Sequence, residues 1–224
     1  MAKTLDFVRL DFLTVKPYAT IKNLVIFLMI GGVFIFFTDS GSATIGILMA
    51  AGSLYVSYPF AVGEQNGIDT LYATLPITRS RVVSGRYLFA LCADLLAGAF
   101  ALAVLYVFSL VRAMPFDTLQ ALAVLGASLL LFSLIQAVQL PIYFRYGYAK
   151  AKMLAYLPYL AAPLLVLAST ELLKNEAWRQ PALELWSQVT SNVALSVALA
   201  AAIWLVLISL SCQISKSVYS RREF

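Results

Sequence analysis

Few side chains in this sequence are equipped to make or break bonds. Histidine is absent, which removes the imidazole base of Ser-His and Cys-His pairs and the commonest metal ligand. Zinc and serine-type intramembrane peptidases need that residue. An aspartyl protease needs two membrane aspartates, and only Asp94 is available within the apolar runs. Cys92 and Cys212 each lie inside or at the end of such a run, where a free thiol packs as a small hydrophobe and no disulfide framework is indicated. No glycine is followed by lysine, so the Gly-x-x-x-x-Gly-Lys-Ser/Thr loop that cradles phosphates is missing and the chain hydrolyses no nucleotide by itself.

Two groups of residues remain. The first is the connection 63–82, too long and too patterned for a tight turn. Asn66-Gly67 breaks the chain, and Asp69 then caps a short helix with Leu71, Tyr72 and Leu75 on one side. Pro76 ends that helix, because the residue before a proline is pushed out of the helical region. Lying along a membrane surface, such a helix presents a mixed apolar and acidic face on which a partner can dock. The plainer reading is an interfacial loop whose Arg79 and Arg81 only obey the positive-inside rule.

The second group is polar but set in apolar sequence. Asp94 lies eight residues past Arg86, about 12 Å along a helix, where an ionisable group costs at least ~2.5 kcal/mol unless paired or wet. Two readings stand: Asp94 faces a translocation path, or it meets a neighbouring side chain such as Gln136. Gln136, Gln139 and Pro141 gather near one end of a later apolar run, where they kink a helix, line an entrance or bond between helices. Ala194, Ala198 and Ala202 form a small-residue ridge suited to close helix packing, within the chain or against a second copy.

The elements that must position these residues follow from composition. The chain of 224 residues is 62% hydrophobic and 12% charged, far below the roughly 25% charge of a soluble domain. Six apolar stretches, 21–37, 43–62, 83–111, 119–144, 153–173 and 192–212, are each long enough to cross ~30 Å of hydrocarbon as a helix. Period-two alternation is missing, so a β-barrel is a poor alternative and the expected fold is all-α, one membrane-spanning domain over 1–224. Before the first span, Leu5, Val8, Phe12 and Val15 recur at helical spacing with Asp6, Arg9 and Asp11 between them. This predicts an interfacial helix within 1–20 that ends near Lys16-Pro17. The polar stretch 174–191, with Trp178 and Trp186, is expected to rest on the opposite surface.

The net charge of +5 does not point to nucleic acid, because the cations flank the apolar runs. Lys3, Arg9, Lys16, Lys22, Arg79, Arg81, Arg86, Arg145, Lys150, Lys152, Lys216, Arg221 and Arg222 fall on one side of a six-span layout, and Arg112, Lys174 and Arg179 on the other. The positive-inside rule then places both termini, 63–82 and the loop 145–152 in the cytoplasm. The first apolar stretch, followed by Ser40 and Ser42, has some features of a secretory signal, but its long charged lead-in favours an uncleaved span.

Glu64, Gly67 and then Leu75-Pro76-Ile77-x-Arg79-x-x-Val82-Val83-x-x-Arg86-Tyr87-Leu88 resemble a segment of small type-2 ATP-binding cassette (ABC) exporter permeases. The motif covers about twenty-five residues, and the six-span layout agrees over the whole chain. Arg86 stands where that family usually has lysine, and Ile68 where it often has an aromatic. The resemblance implies that 63–82 holds a coupling helix seated in a groove on a separate cytosolic ABC ATPase. Glu64, Gly67, Asp69 and Leu75 would then lie at the contact, Pro76 would set the exit angle, and Arg79 would anchor the next helix at the phosphate layer. It also implies ATP and magnesium bound by the partner, a second permease subunit that is a copy or close relative, and an export path between the two. The location implied is a bacterial cytoplasmic membrane, with lipid around the spans. The competing reading is a proton-coupled secondary carrier with Asp94 as relay, although such carriers usually show broken helices and more mid-membrane polarity.

Overall fold

The structure, a computed structural model, describes residues 4–38, 41–68, 78–112 and 116–221. The first helix is α1, Thr4–Val15. It is followed by α2, Ile21–Thr38, and α3, Gly41–Ser53, which runs through a tighter turn, Leu54–Ser57, into α4, Tyr58–Gln65. Beyond the connection come α5, Arg79–Arg112, α6, Thr118–Tyr146, α7, Tyr148–Leu172, α8, Glu176–Ser191, and α9, Val193–Ser220. The described residues contain no strand.

Four helical runs among the described residues are long and apolar enough to cross a membrane: Ala43–Gln65, Arg79–Arg112, Thr118–Tyr146 and Ala194–Ser220. Ile21–Phe37 is a shorter apolar helix, and α7 covers the fifth apolar stretch of the sequence. The helices pack where side chains are smallest. A methyl group added at Gly52 would lie 2.3 Å from the Ala97 Cβ, and one at Gly98 would lie 2.6 Å from Leu125, so α3, α5 and α6 approach closely at these points. Ile45, Met49, Ala101, Val104 and Ile135 fill the middle of this bundle, while Phe60, Val83, Tyr143, Phe144 and Tyr219 form a separate core at the basic end.

Several helices run further than hydropathy suggests. The last apolar stretch stops at Cys212, but α9 continues to Ser220 because Ser215 and Tyr219 are buried against the bundle. The predicted loop at 145–152 is instead a break at Gly147 between α6 and α7. Its φ of 75° and ψ of 175° suit glycine only. Gly147→Ala is therefore expected to destabilise by about 1–2 kcal/mol, read as a lower midpoint in thermal unfolding of the purified chain.

Two further segments take a definite form. The segment 174–191 contains a helix, α8, whose N-terminus is capped by the Asn175 side chain accepting from Ala177 N at 3.0 Å. Trp178 on it is exposed. Ala194, Ala198 and Ala202 of the small-residue ridge are exposed.

Candidate functional site

The basic end of the bundle gathers the residues that flank the connection 69–77. Asp69, Leu71, Tyr72, Leu75 and Pro76 lie outside the described residues, so the site is built from its two supports. On one side α4 ends at Gln65, Asn66 turns the chain, and Gly67 takes a φ of 63°, the left-handed conformation that ends helices most easily when the residue is glycine. The break expected at Asn66-Gly67 is present. On the other side α5 begins at Arg79, whose Nη1 donates to the carbonyls of Tyr219 and Ser220 at 3.2 and 2.9 Å. A cation placed on the last carbonyls of a helix satisfies acceptors that have no partner within it. Arg79 thus joins the start of α5 to the end of α9.

Glu64 has a similar structural use. Its Oε2 accepts from the backbone N–H groups of Tyr148 and Ala149, the latter at 3.0 Å. These are the first residues of α7, and Gly147, the residue before them, has no side chain with which to cap the helix. The carboxylate of α4 supplies that cap from another element. Glu64→Ala is expected to destabilise by about 1 kcal/mol, with most of the loss retained in Glu64→Gln because the charge is gone. Thermal unfolding of the two variants side by side measures both effects.

Beneath these supports lies an ion pair between α1 and α5. Arg86 is 3% exposed and Asp11 5% exposed, with Nε of the arginine 4.0 Å from Oδ1 of the aspartate. The guanidinium stacks on the Phe60 ring at 4.1 Å and stands 5.8 Å from the Phe144 ring. Its Nη2 donates to Pro59 O at 3.5 Å. Gly63 leaves it room, since a Cβ there would meet Nη2 at 3.3 Å. Gly85 lets α1 lie against α5, because a Cβ there would sit 2.6 Å from the Phe7 Cβ. One side chain therefore ties α1, α4, α5 and α6 together next to the connection.

This arrangement corrects two readings. Asp11, expected among the polar residues of α1, and Arg86, expected among the surface cations, are both buried. The helical ladder Phe7, Asp11, Val15 was the available signal, since it puts Asp11 on an apolar face while Leu5 is 65% exposed.

Deeper in the bundle, Gln136 Nε2 donates to Asp94 Oδ1 at 2.8 Å, and the two residues are 2% and 1% exposed. Gln139 Nε2 donates to Ala155 O on α7 at 2.6 Å. The structure thus brings Asp94 and Gln136 together, while Gln139, 3% exposed, makes an interhelical bond. Pro141 has a consequence that the sequence reading missed. It lacks the N–H that would bond Ala137 O within α6, and Ser211 Oγ of α9 donates to that carbonyl instead. Because the Ser211 hydrogen is used there, Tyr87 OH donates to Ser211 Oγ and accepts from Ser215 Oγ at 2.8 Å. The chain of bonds joins α5, α6 and α9. The i−4 rule for proline identifies Ala137 O as an acceptor in need of a donor, but not which helix supplies it.

This helical architecture, with a glycine-broken connection braced on the basic end, agrees with the comparison of the whole sequence. A family model described as ABC-2 family transporter protein matches residues 7–220. The chain belongs to the ABC-2 transporter family. Neither the curated proteins nor the solved structures offer a match. As an ABC-2 transporter protein it is a multi-pass membrane protein and the permease subunit of an ABC transporter, one of a family of transport components that in general are not themselves catalytic. ABC-2 permeases work in general with an ABC ATPase partner, and this one has no phosphate-cradling loop of its own.

Proposed function

We propose that this ABC-2 permease is an exporter subunit with six spans. It moves an amphipathic or hydrophobic substrate, such as a peptide, a lipid-like molecule or a drug, out of the cytoplasm, using ATP and magnesium bound wholly by a separate ATPase. The observation that carries the reading is the bracing of both ends of the connection 69–77. Glu64 locks the α4 end to α7, Arg79 locks the α5 end to α9, and Arg86 joins the same two ends to α1. A push delivered to Asp69, Leu75 and Pro76 by a closing ATPase would reach α1, α4, α5, α7 and α9 at once, which a coupling helix requires. The family match over residues 7–220 supports the same reading.

Two permease chains, identical or related, would enclose the path between them. The sparsely packed outer half of α9, with its exposed alanine ridge, is one face available for that association. The basic side of the bundle would then face the cytoplasm, both termini included, in a bacterial cytoplasmic membrane. Asp94 and Gln136 would act as an interhelical bond in this scheme, since both are enclosed within one chain.

Inside-out vesicles carrying the permease and its ATPase test this reading against the proton-coupled carrier. Uptake of amphipathic dyes is expected to require ATP, to survive a protonophore, and to change less than about three-fold in Asp94→Asn. Uptake that is driven by a proton gradient without ATP and abolished in Asp94→Asn would overturn it in favour of the carrier.

A further inference from the structure

Between α1, α2, α3 and α5 lies an apolar cavity of about 590 Å³ that the coupling scheme does not use. Phe12, Leu24, Phe27, Leu48, Phe89 and Phe100 form much of its wall. At its basic end two cations, Arg9 and Lys16, stand on the rim, and no carboxylate lines it. Both are exposed, and they lie seven residues apart on α1 and its end, so they share one face of the helix. Asp11 is turned away, against Arg86. Asn23 closes the mouth with its amide already donating to Tyr18 O at 2.6 Å and to the Tyr55 hydroxyl at 3.2 Å.

The depth of the cavity identifies an occupant. Its α5 wall runs from Phe89 to Phe100, about 16 Å at ~1.5 Å per residue. Half of a ~30 Å hydrocarbon core is about 15 Å. The cavity therefore extends from the headgroup level on the basic side to the middle of the bilayer, the length of one leaflet's acyl chain. We infer that it holds an acyl chain of an anionic glycerophospholipid from that leaflet, with the phosphate against Arg9 and Lys16. Charge disfavours a second copy of this chain in the same place, because its own basic end would bring cations to cations. The bound lipid bridges α1 to α2 and α5, complementing on the outer face of α1 what Asp11 and Arg86 do on the inner one. The inference concerns this chain alone and does not depend on the exporter reading.

Native mass spectrometry of the purified full chain, with phosphatidylglycerol or phosphatidylcholine of equal chain length added, provides the test. The native chain is expected to retain phosphatidylglycerol preferentially. The R9Q/K16Q variant should weaken its retention about 25-fold, from about five-fold for each cation near an anionic headgroup, and leave phosphatidylcholine unchanged. Filling the wall with Ala93→Phe should reduce retention of both lipids. Equal retention of the two lipids by the native chain, or unchanged phosphatidylglycerol binding in R9Q/K16Q, would overturn the proposal. Because Arg9 and Lys16 are exposed, that variant decides the matter even where Ala93→Phe fails to fold.

Discussion

Replacing Arg86 by methionine is expected to destabilise the protein by about 3–5 kcal/mol, the range found when one partner of a buried ion pair is removed. Methionine keeps the apolar stem of the side chain but removes the guanidinium that stacks on the Phe60 ring, so the loss reports on charge together with that ring contact. Asp11 would remain 5% exposed without the cation it faces. Removing both charges tests that cause: an Asp11→Leu, Arg86→Met double variant should recover most of the stability, because apolar groups of similar volume often replace a buried pair at little net cost. Thermal unfolding of the native chain, both single variants and the double variant in one lipid composition forms the necessary cycle. If the double variant is as unstable as the sum of the singles, the pair at 4.0 Å is not an energetic unit, and α1 is held by packing alone.

Gly52→Val is expected to lower stability by about 3 kcal/mol, at the upper end of the usual range for overpacked sites. The first carbon added would fall 2.3 Å from the Ala97 Cβ, an atom attached directly to the backbone, so no rotamer relieves the clash and α3 must move away from α5. Exchanging the two residues offers a check on this mechanism. Gly52→Ala alone should destabilise, and Gly52→Ala combined with Ala97→Gly should return most of the loss, because the pair again contains one methyl group. Circular dichroism melting of the four proteins separates this contact from a general intolerance of larger side chains in α3.

The apolar runs were readable because each helix core is set by hydropathy, and all six positions fall on helices of the structure. Helix ends were less readable. Beyond the hydrocarbon, the extent of α9 depends on Ser215 and Tyr219 finding buried partners and on Arg79 taking its last carbonyls, and none of these is a local property. The Asp94–Gln136 contact was among the readings because a buried carboxyl needs a donor at its own depth. Asp94 is eight residues beyond Arg86 and Gln136 eight before Phe144, and Arg86 stands beside Phe144. Antiparallel helices starting from that level bring the two side chains together. The roles of Glu64, Arg79 and Arg86 were harder to foresee. Positive-inside counting treats every cation near a span end alike, and it contains no term for a helix terminus or an aromatic ring waiting elsewhere in the chain.

The central claim is that 63–82 couples this permease to a separate ATPase. The decisive measurement is co-purification of the chain with a co-expressed ABC ATPase in lipid nanodiscs, comparing the native pair with Leu75→Asp and with a Gly67→Trp, Leu75→Asp double variant. The native chain is expected to retain the ATPase, and both variants to lose it while still inserting and melting cooperatively. An ATPase that never binds the native chain, or that binds both variants equally well, would contradict it.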